Sequence, residues 1–143
     1  MRWEVLLDMK ARIEADEALT AYFQSHYGKP AAHVIGFPRP KSAHDYPFVS
    51  YVLPRDRRDD DANGRDLRVS VTCGVNQPGI EGGLYLGIQE ASEVDELIAG
   101  CLVRRPNLAD GVWLQGDFES FSDFGEGHPF YWVETVFNFQ VRN

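Results

Sequence analysis

The feature that most constrains this chain is its last strand, where Tyr131, Val133, Thr135, Phe137, Phe139 and Val141 fall on one side by strict alternation. A period of two is the signature of a strand, and an apolar row this long has to be covered by another layer of protein. The opposite side is mixed: Glu134, Asn138 and Gln140 share it with Phe130, Trp132 and Val136. Nine of the eighteen aromatic side chains lie between Val112 and the C-terminus. This region is therefore expected to form two aromatic strands that end inside the sheet, with no tail left over for targeting or regulation.

Upstream, Trp3, Leu6, Leu7, Ala11 and Ile13 fall near helical spacing, with Glu4, Asp8, Arg12 and Glu14 on the other side. The pattern predicts a helix with a break near Asp16 that continues through Leu19, Tyr22 and Phe23 and is stopped by Gly28 and Pro30. A short strand is expected at His33 to Phe37, closed by Pro38 and Pro40. Pro47 to Leu53 is apolar or aromatic on both sides, and Leu67, Val69, Val71, Cys73 and Val75 alternate with polar residues. The stretch between them is polar and rich in turn formers, so a mobile acidic hairpin loop is predicted over about 54–66. Gln77 to Gly87 reads as a glycine-rich connector. A second helix is predicted from Ile88 to Val103, with Ile88, Ala91, Val94, Leu97, Ile98, Cys101 and Leu102 on its apolar stripe, Glu90, Glu93 and Glu96 off it, and Pro106 behind it.

These elements predict a single domain over residues 1–143 of class α+β. Its expected form is a two-layer sandwich, a largely antiparallel sheet of about five strands with two helices packed on one face. A chain of this length can bury roughly 68–70% of the surface its unfolded form exposes, enough for one core. The mixed side of the last strand would then leave Phe130, Trp132 and Val136 facing water, which suggests a partner surface or a covering loop.

Composition excludes several classes. The net charge is −8, with 22 acidic against 14 basic residues, so a duplex phosphate backbone is repelled on average and sequence-specific nucleic-acid binding is not expected. Arg55, Arg57 and Arg58 form the one basic cluster, but Asp56 and Asp59 to Asp61 neutralise it in place. No apolar run approaches the ~20 residues needed to cross a bilayer, and the N-terminus lacks a signal-peptide core, so a cytoplasmic protein without membrane contact is expected. Cys73 and Cys101 lie on apolar stripes without CxxC spacing or an adjacent histidine, and read as reduced, buried, small hydrophobes.

The sharpest motif is Asp59, Asp61, Asn63 and Gly64, which opens like an EF-hand calcium loop. Short oxygen side chains at alternate positions can converge on a hard cation. Yet the twelfth position, which needs a bidentate Glu, is Ser70, and the eighth, ordinarily apolar, is Asp66, so a solvated acidic loop is the simpler reading. His26, His33, His44 and His128 show no metal-ligand spacing and read as surface or loop residues. No G-x-S-x-G elbow, G-x-G-x-x-G turn or P-loop occurs. No enzymatic activity and no cofactor are expected. An enzyme would need a pocket that gathers His44, Asp45 or His128 with acids from elsewhere.

An amphipathic N-terminal helix, a Pro47-Phe48-Val49 strand, a polar hairpin, an alternating strand at Leu67 to Val75, a helix after a glycine-rich link and the closing strand at Tyr131 to Phe139 follow one another in this order. That layout, over roughly Trp3 to Val141, resembles the tail terminator or tail completion proteins of tailed bacteriophages and prophages. The resemblance implies a homo-oligomeric ring, commonly a hexamer, that caps the tail tube, halts its polymerisation and joins it to the head. Its partners would be the tail tube and head-joining proteins, and its location the cytoplasm during assembly and then the virion tail. On this reading Phe130, Trp132 and Val136 would serve as the subunit interface, and Asp59, Asp60, Asp61, Glu90, Glu93 and Glu96 as an acidic lumen or partner face. The alternative is a small acidic α+β adaptor or immunity-type module that engages one basic partner as a monomer.

Overall fold

The computed structural model describes residues 3–37, 40–58, 64–123 and 127–142. Helix α1 spans Glu4–Glu14 and α2 spans Glu17–Tyr27, so the predicted first helix is two helices. The break falls where it was expected: Asp16 leaves helical geometry with ψ 122°, and its carboxylate accepts the Leu19 amide at 3.0 Å, capping α2. Gly28 ends α2 in the left-handed conformation, φ 69°, that glycine adopts without strain. The buried side of α1 is Val5, Leu6, Met9 and Ile13, one step round from the predicted stripe, and Trp3 and Leu7 are exposed.

Among the described residues, seven strands make one sheet. They are β1 (Ala32–Ile35), β2 (Phe48–Arg58), β3 (Gly64–Asn76), β6 (Asn107–Ala109), β7 (Val112–Leu114), β8 (Glu119–Asp123) and β9 (Phe130–Arg142). Their order is β1-β2-β3-β9-β7-β6, and β8 also pairs with β9. Two further short strands, β4 (Ile80–Glu81) and β5 (Leu84–Tyr85), form a separate hairpin inside the expected connector, turned by Gly82 and Gly83 at φ 57° and 81°. Helix α3 runs from Leu86 to Arg104.

The class is α+β as expected, but the sheet is larger than five strands and is mixed. Strand β1 pairs with β2 in parallel, Ala32 against Phe48 through Ile35 against Tyr51. Residues 36–47 join them, and a connection of about a dozen residues is what a parallel crossover needs where a hairpin would give an antiparallel pair. Both flanks of the predicted 54–66 loop are strand instead. Arg55 to Arg58 pair with Arg68 to Arg65 across the β2–β3 ladder, because backbone hydrogen bonds extend a hairpin whatever the side chains are. A bulge between Val52 and Arg55 absorbs Pro54, which has no amide proton to donate. Residues 59–63, and with them Asp59, Asp60, Asp61 and Asn63 of the candidate calcium loop, lie outside the described residues.

One cluster of buried side chains joins α1, α2 and α3 to the inner side of the sheet. Val49 and Tyr51 of β2, Leu67 to Val75 of β3 and Tyr131 to Val141 of β9 supply the sheet's half, the last two rows as their alternation predicted. Arg12 ties α1 to the chain that follows α3: its guanidinium donates to the carbonyls of Arg105 at 2.6 Å, Asn107 at 3.0 Å and Leu108 at 3.3 Å. Cys73 and Cys101 are free and buried, and burial raises both thiol pKa values.

Candidate functional site

Strand geometry decides what stands on the outer side of the sheet. The residues of β2, β3 and β9 that alternate with the core set are Phe48, Ser50 and Val52, then Ser70, Thr72 and Gly74, then Phe130 to Asn138 at even numbers. Cross-strand register places Trp132 opposite Gly74, Glu134 opposite Thr72, and Val136 opposite Ser70. On the far side of β9, Phe121 of β8 stands opposite Glu134.

At one end of this surface the aromatic rings close on one another. Phe48 lies over Gly74, where a Cβ would stand 2.0 Å from the ring. Trp132 meets Phe48 edge-on at 5.5 Å and donates its indole N–H to the Tyr46 hydroxyl at 2.9 Å. Phe130 stacks on Tyr46 at 4.7 Å. Offset and edge-on pairs of this kind contribute roughly 0.5–1.5 kcal/mol each beyond area burial.

Next to the cluster the same side of the sheet forms an open groove of about 520 Å³. Val52, Thr72, Trp132 and Val136 line it with Phe121 and Glu134, and Phe37 and Pro54 stand at its margin. Phe121 is 49% exposed and Phe37 73%, so apolar surface at this groove meets water. Glu134 is half-buried, and one of its oxygens accepts a 2.5 Å hydrogen bond from the Ser70 hydroxyl. Among the described residues no basic side chain is paired with this carboxylate.

The expected interface residues are therefore divided. Trp132 and Val136 come together in the groove, whereas Phe130 belongs to the Tyr46 cluster. All three are half-buried, because the Tyr46–Phe48 segment and β8 cover that side of β9. They do not form the open patch that alternation alone predicted. Phe121, Glu134, Ser70 and Thr72 complete the groove and were missing from the expected interface. The alternating polar row of β3 signalled its floor, but the pairing of β8 with β9 was not visible in the sequence.

The acidic set is divided as well. Glu90 is a correction: it is 8% exposed, taking hydrogen bonds from the Tyr27 hydroxyl at 2.6 Å and the Gln77 amide at 2.9 Å. Its carboxylate anchors α2 and the connector to α3, so it is absent from any acidic outer surface. Glu93 accepts from Tyr22 at 2.8 Å and from Gln89 at 2.8 Å, and these bonds lower its pKa. Desolvation, reinforced by the acceptor glutamates, raises the pKa of Tyr22 and Tyr27. Glu96 is exposed.

The histidines serve several roles. His26 stacks on Tyr22 at 3.8 Å, and His128 bonds the Tyr131 hydroxyl at 2.6 Å. His33 departs from the surface or loop reading: it lies on β1 in a hydrogen bond with Tyr51 at 2.8 Å, and burial lowers its pKa. His44 sits in an exposed single turn, Ala43–Asp45, where Asp45 accepts the Lys41 and Ser42 amides. Among the described residues no group of three metal-ligating side chains converges. Nor is any helix long and apolar enough to cross a membrane.

No family model matches the chain, and neither does any curated protein. Among solved structures, the chain is similar to a component of the virion of a native gene transfer agent particle. The TM-score is 0.61 at 16% sequence identity, covering 94% of this chain and 92% of that one. At that identity the likeness is one of fold.

Proposed function

We propose that this chain is a structural subunit of a phage-like virion, a tail terminator or completion protein that assembles as a ring on the end of the tail tube, stops its growth and joins it to the head. The observation behind the virion role is the fold shared with a virion component over nearly the whole of both chains. The terminator role rests on the order of elements in the sequence, which resembles that of the tail terminator family.

The ring reading gives the outer side of the sheet a purpose. A groove with exposed aromatic margins is a surface that a neighbouring copy can cover, and closed rings are built from such contacts between unlike surfaces of the same chain. The acidity fits as well: a net charge of −8 keeps the surface from holding DNA that has to pass. Assembly would take place in the cytoplasm, and the finished ring would reside in the virion tail with the tube and head-joining proteins as neighbours. The protein acts through surfaces, with neither turnover nor cofactor.

Sedimentation velocity and negative-stain electron microscopy of the purified chain test this reading. Closed rings of several copies are expected. Phe121→Asp is the better probe of the interface than Trp132→Asp, because Trp132 is hydrogen-bonded into the Tyr46 cluster and its loss would disturb the fold. The Phe121 variant should weaken association about tenfold or more, as for a central aromatic contact. A chain that stays monomeric at all concentrations would sink the ring and favour the monomeric acidic adaptor.

A further inference from the structure

Among the described residues that line it, the groove carries one acid and no base, and a surface that covers it would have to bring a cation. Glu134 stands between Trp132 and Val136 along β9 and between Thr72 and Phe121 across it. Covering this groove with a wholly apolar surface would bury the carboxylate with a single hydroxyl donor, which costs far more than burying it against a charge-paired donor. A guanidinium suits the site best. Its planar fork can bond a carboxylate twice, and its face can lie against Trp132 or Phe121.

The same chain presents a candidate for that role at the end of α3. Arg12, Arg104 and Arg105 line one surface cavity together with Asp16 and Glu17. Two of the three are engaged: Arg12 holds the carbonyls of Arg105, Asn107 and Leu108, and Arg104 pairs with Asp16 at 2.9 Å. Arg105 is exposed, and among the described residues no acid is paired with its guanidinium. The groove offers the complement, apolar walls around a carboxylate without a cation.

Arg105 caps the end of α3 in the helix layer, whereas the groove lies on the opposite side of the sheet. A contact between them joins two copies, one surface on each, and repeats with the next copy. This is the heterologous geometry that closes into rings. We infer that the Glu134 groove of each subunit receives Arg105 from the neighbouring subunit. The inference rests on the ring reading and specifies its interface.

Charge exchange tests it, with sedimentation velocity of the full chain as the readout and thermal denaturation as the check on folding. Glu134→Gln keeps an acceptor for Ser70, so it removes the charge without stranding the hydroxyl, and Arg105→Glu alters an exposed side chain. Each should weaken association about 30-fold or more, as when one partner of a desolvated ion pair is lost. The pair Glu134→Arg with Arg105→Glu should recover most of the loss. Rings that form unchanged in either single variant would overturn the assignment while the ring reading stands. Weakening by Glu134→Gln alone would also overturn it, since the cation would come from elsewhere. A wild-type chain that never associates would remove both.

Discussion

At the residue scale, close approach of a ring to a glycine reverses an ordinary expectation. Glycine inside a helix is about 1 kcal/mol worse than alanine, so a Gly→Ala change on a helix normally stabilises. At Gly87, in the first turn of α3, an added Cβ would stand 2.0 Å and 2.3 Å from two ring atoms of Tyr131. That ring cannot yield cheaply: it is 4% exposed, and its hydroxyl is bonded to His128. Gly87→Ala is therefore expected to lower stability by about 1–3 kcal/mol, the range for overpacking a tight core. Gly100 on the same helix is the control, since its added Cβ would meet only the Arg104 guanidinium, at an ordinary contact distance of 3.5 Å. Gly100→Ala should gain up to about 1 kcal/mol. Urea denaturation of the two variants decides it, and a gain at Gly87 would show that α3 shifts away from β9 freely. Neither glycine could be ranked from the sequence, because the distinction depends on a strand more than forty positions away.

At the scale of elements, the junction between α1 and α2 is a test of capping. Asp16 caps α2 through the Leu19 amide and also takes the salt bridge from Arg104, linking the junction to the end of α3. Asp16→Ala should cost about 1 kcal/mol for the cap. The exposed salt bridge, with its Arg104 side chain 62% exposed, should add no more than a few tenths of a kcal/mol. Thermal melts of Asp16→Ala and Arg104→Ala separate the two contributions: equal losses would mean that the cap is worth nothing beyond the ion pair. This break was legible because an acid between two apolar periods is a local signal. The core rows of β3 and β9 and the body of α3 were legible for the same reason. The parallel pairing of β1 was not, since four residues of strand carry no mark of their neighbour. The polar ends of β2 and β3 read as loop because a ladder can be extended by backbone bonds alone. Glu90 read as surface because helical spacing takes no account of Tyr27 and Gln77, which come from other elements. Of the groove, β9 was visible as a mixed row, while Phe121 entered it through strand pairing that no local pattern encodes.

At the scale of the whole molecule, each copy carries a net charge of −8, and drawing several copies into a ring brings like charges together. That repulsion acts mainly between exposed groups over distances comparable to the Debye length, about 10 Å at 0.1 M salt and about 3 Å at 1 M. The contacts proposed to hold the ring are apolar surface and an ion pair enclosed by Trp132 and Phe121, both screened much less. Added salt should therefore weaken what opposes assembly more than what drives it. Raising sodium chloride from about 0.05 M to about 0.5 M is expected to shift the monomer–ring equilibrium towards the ring at fixed protein concentration. Acidic proteins also lose non-specific repulsion over this range, so the specific prediction is paired with the variants. Arg105→Glu adds negative charge to every subunit and removes the local attraction, and salt should recover only the part due to repulsion. Sedimentation velocity across the salt series measures both. Rings that dissolve as salt rises would mean that attraction between exposed charges outweighs the repulsion, and the joining surface would then have to be sought among solvated ion pairs, away from the groove.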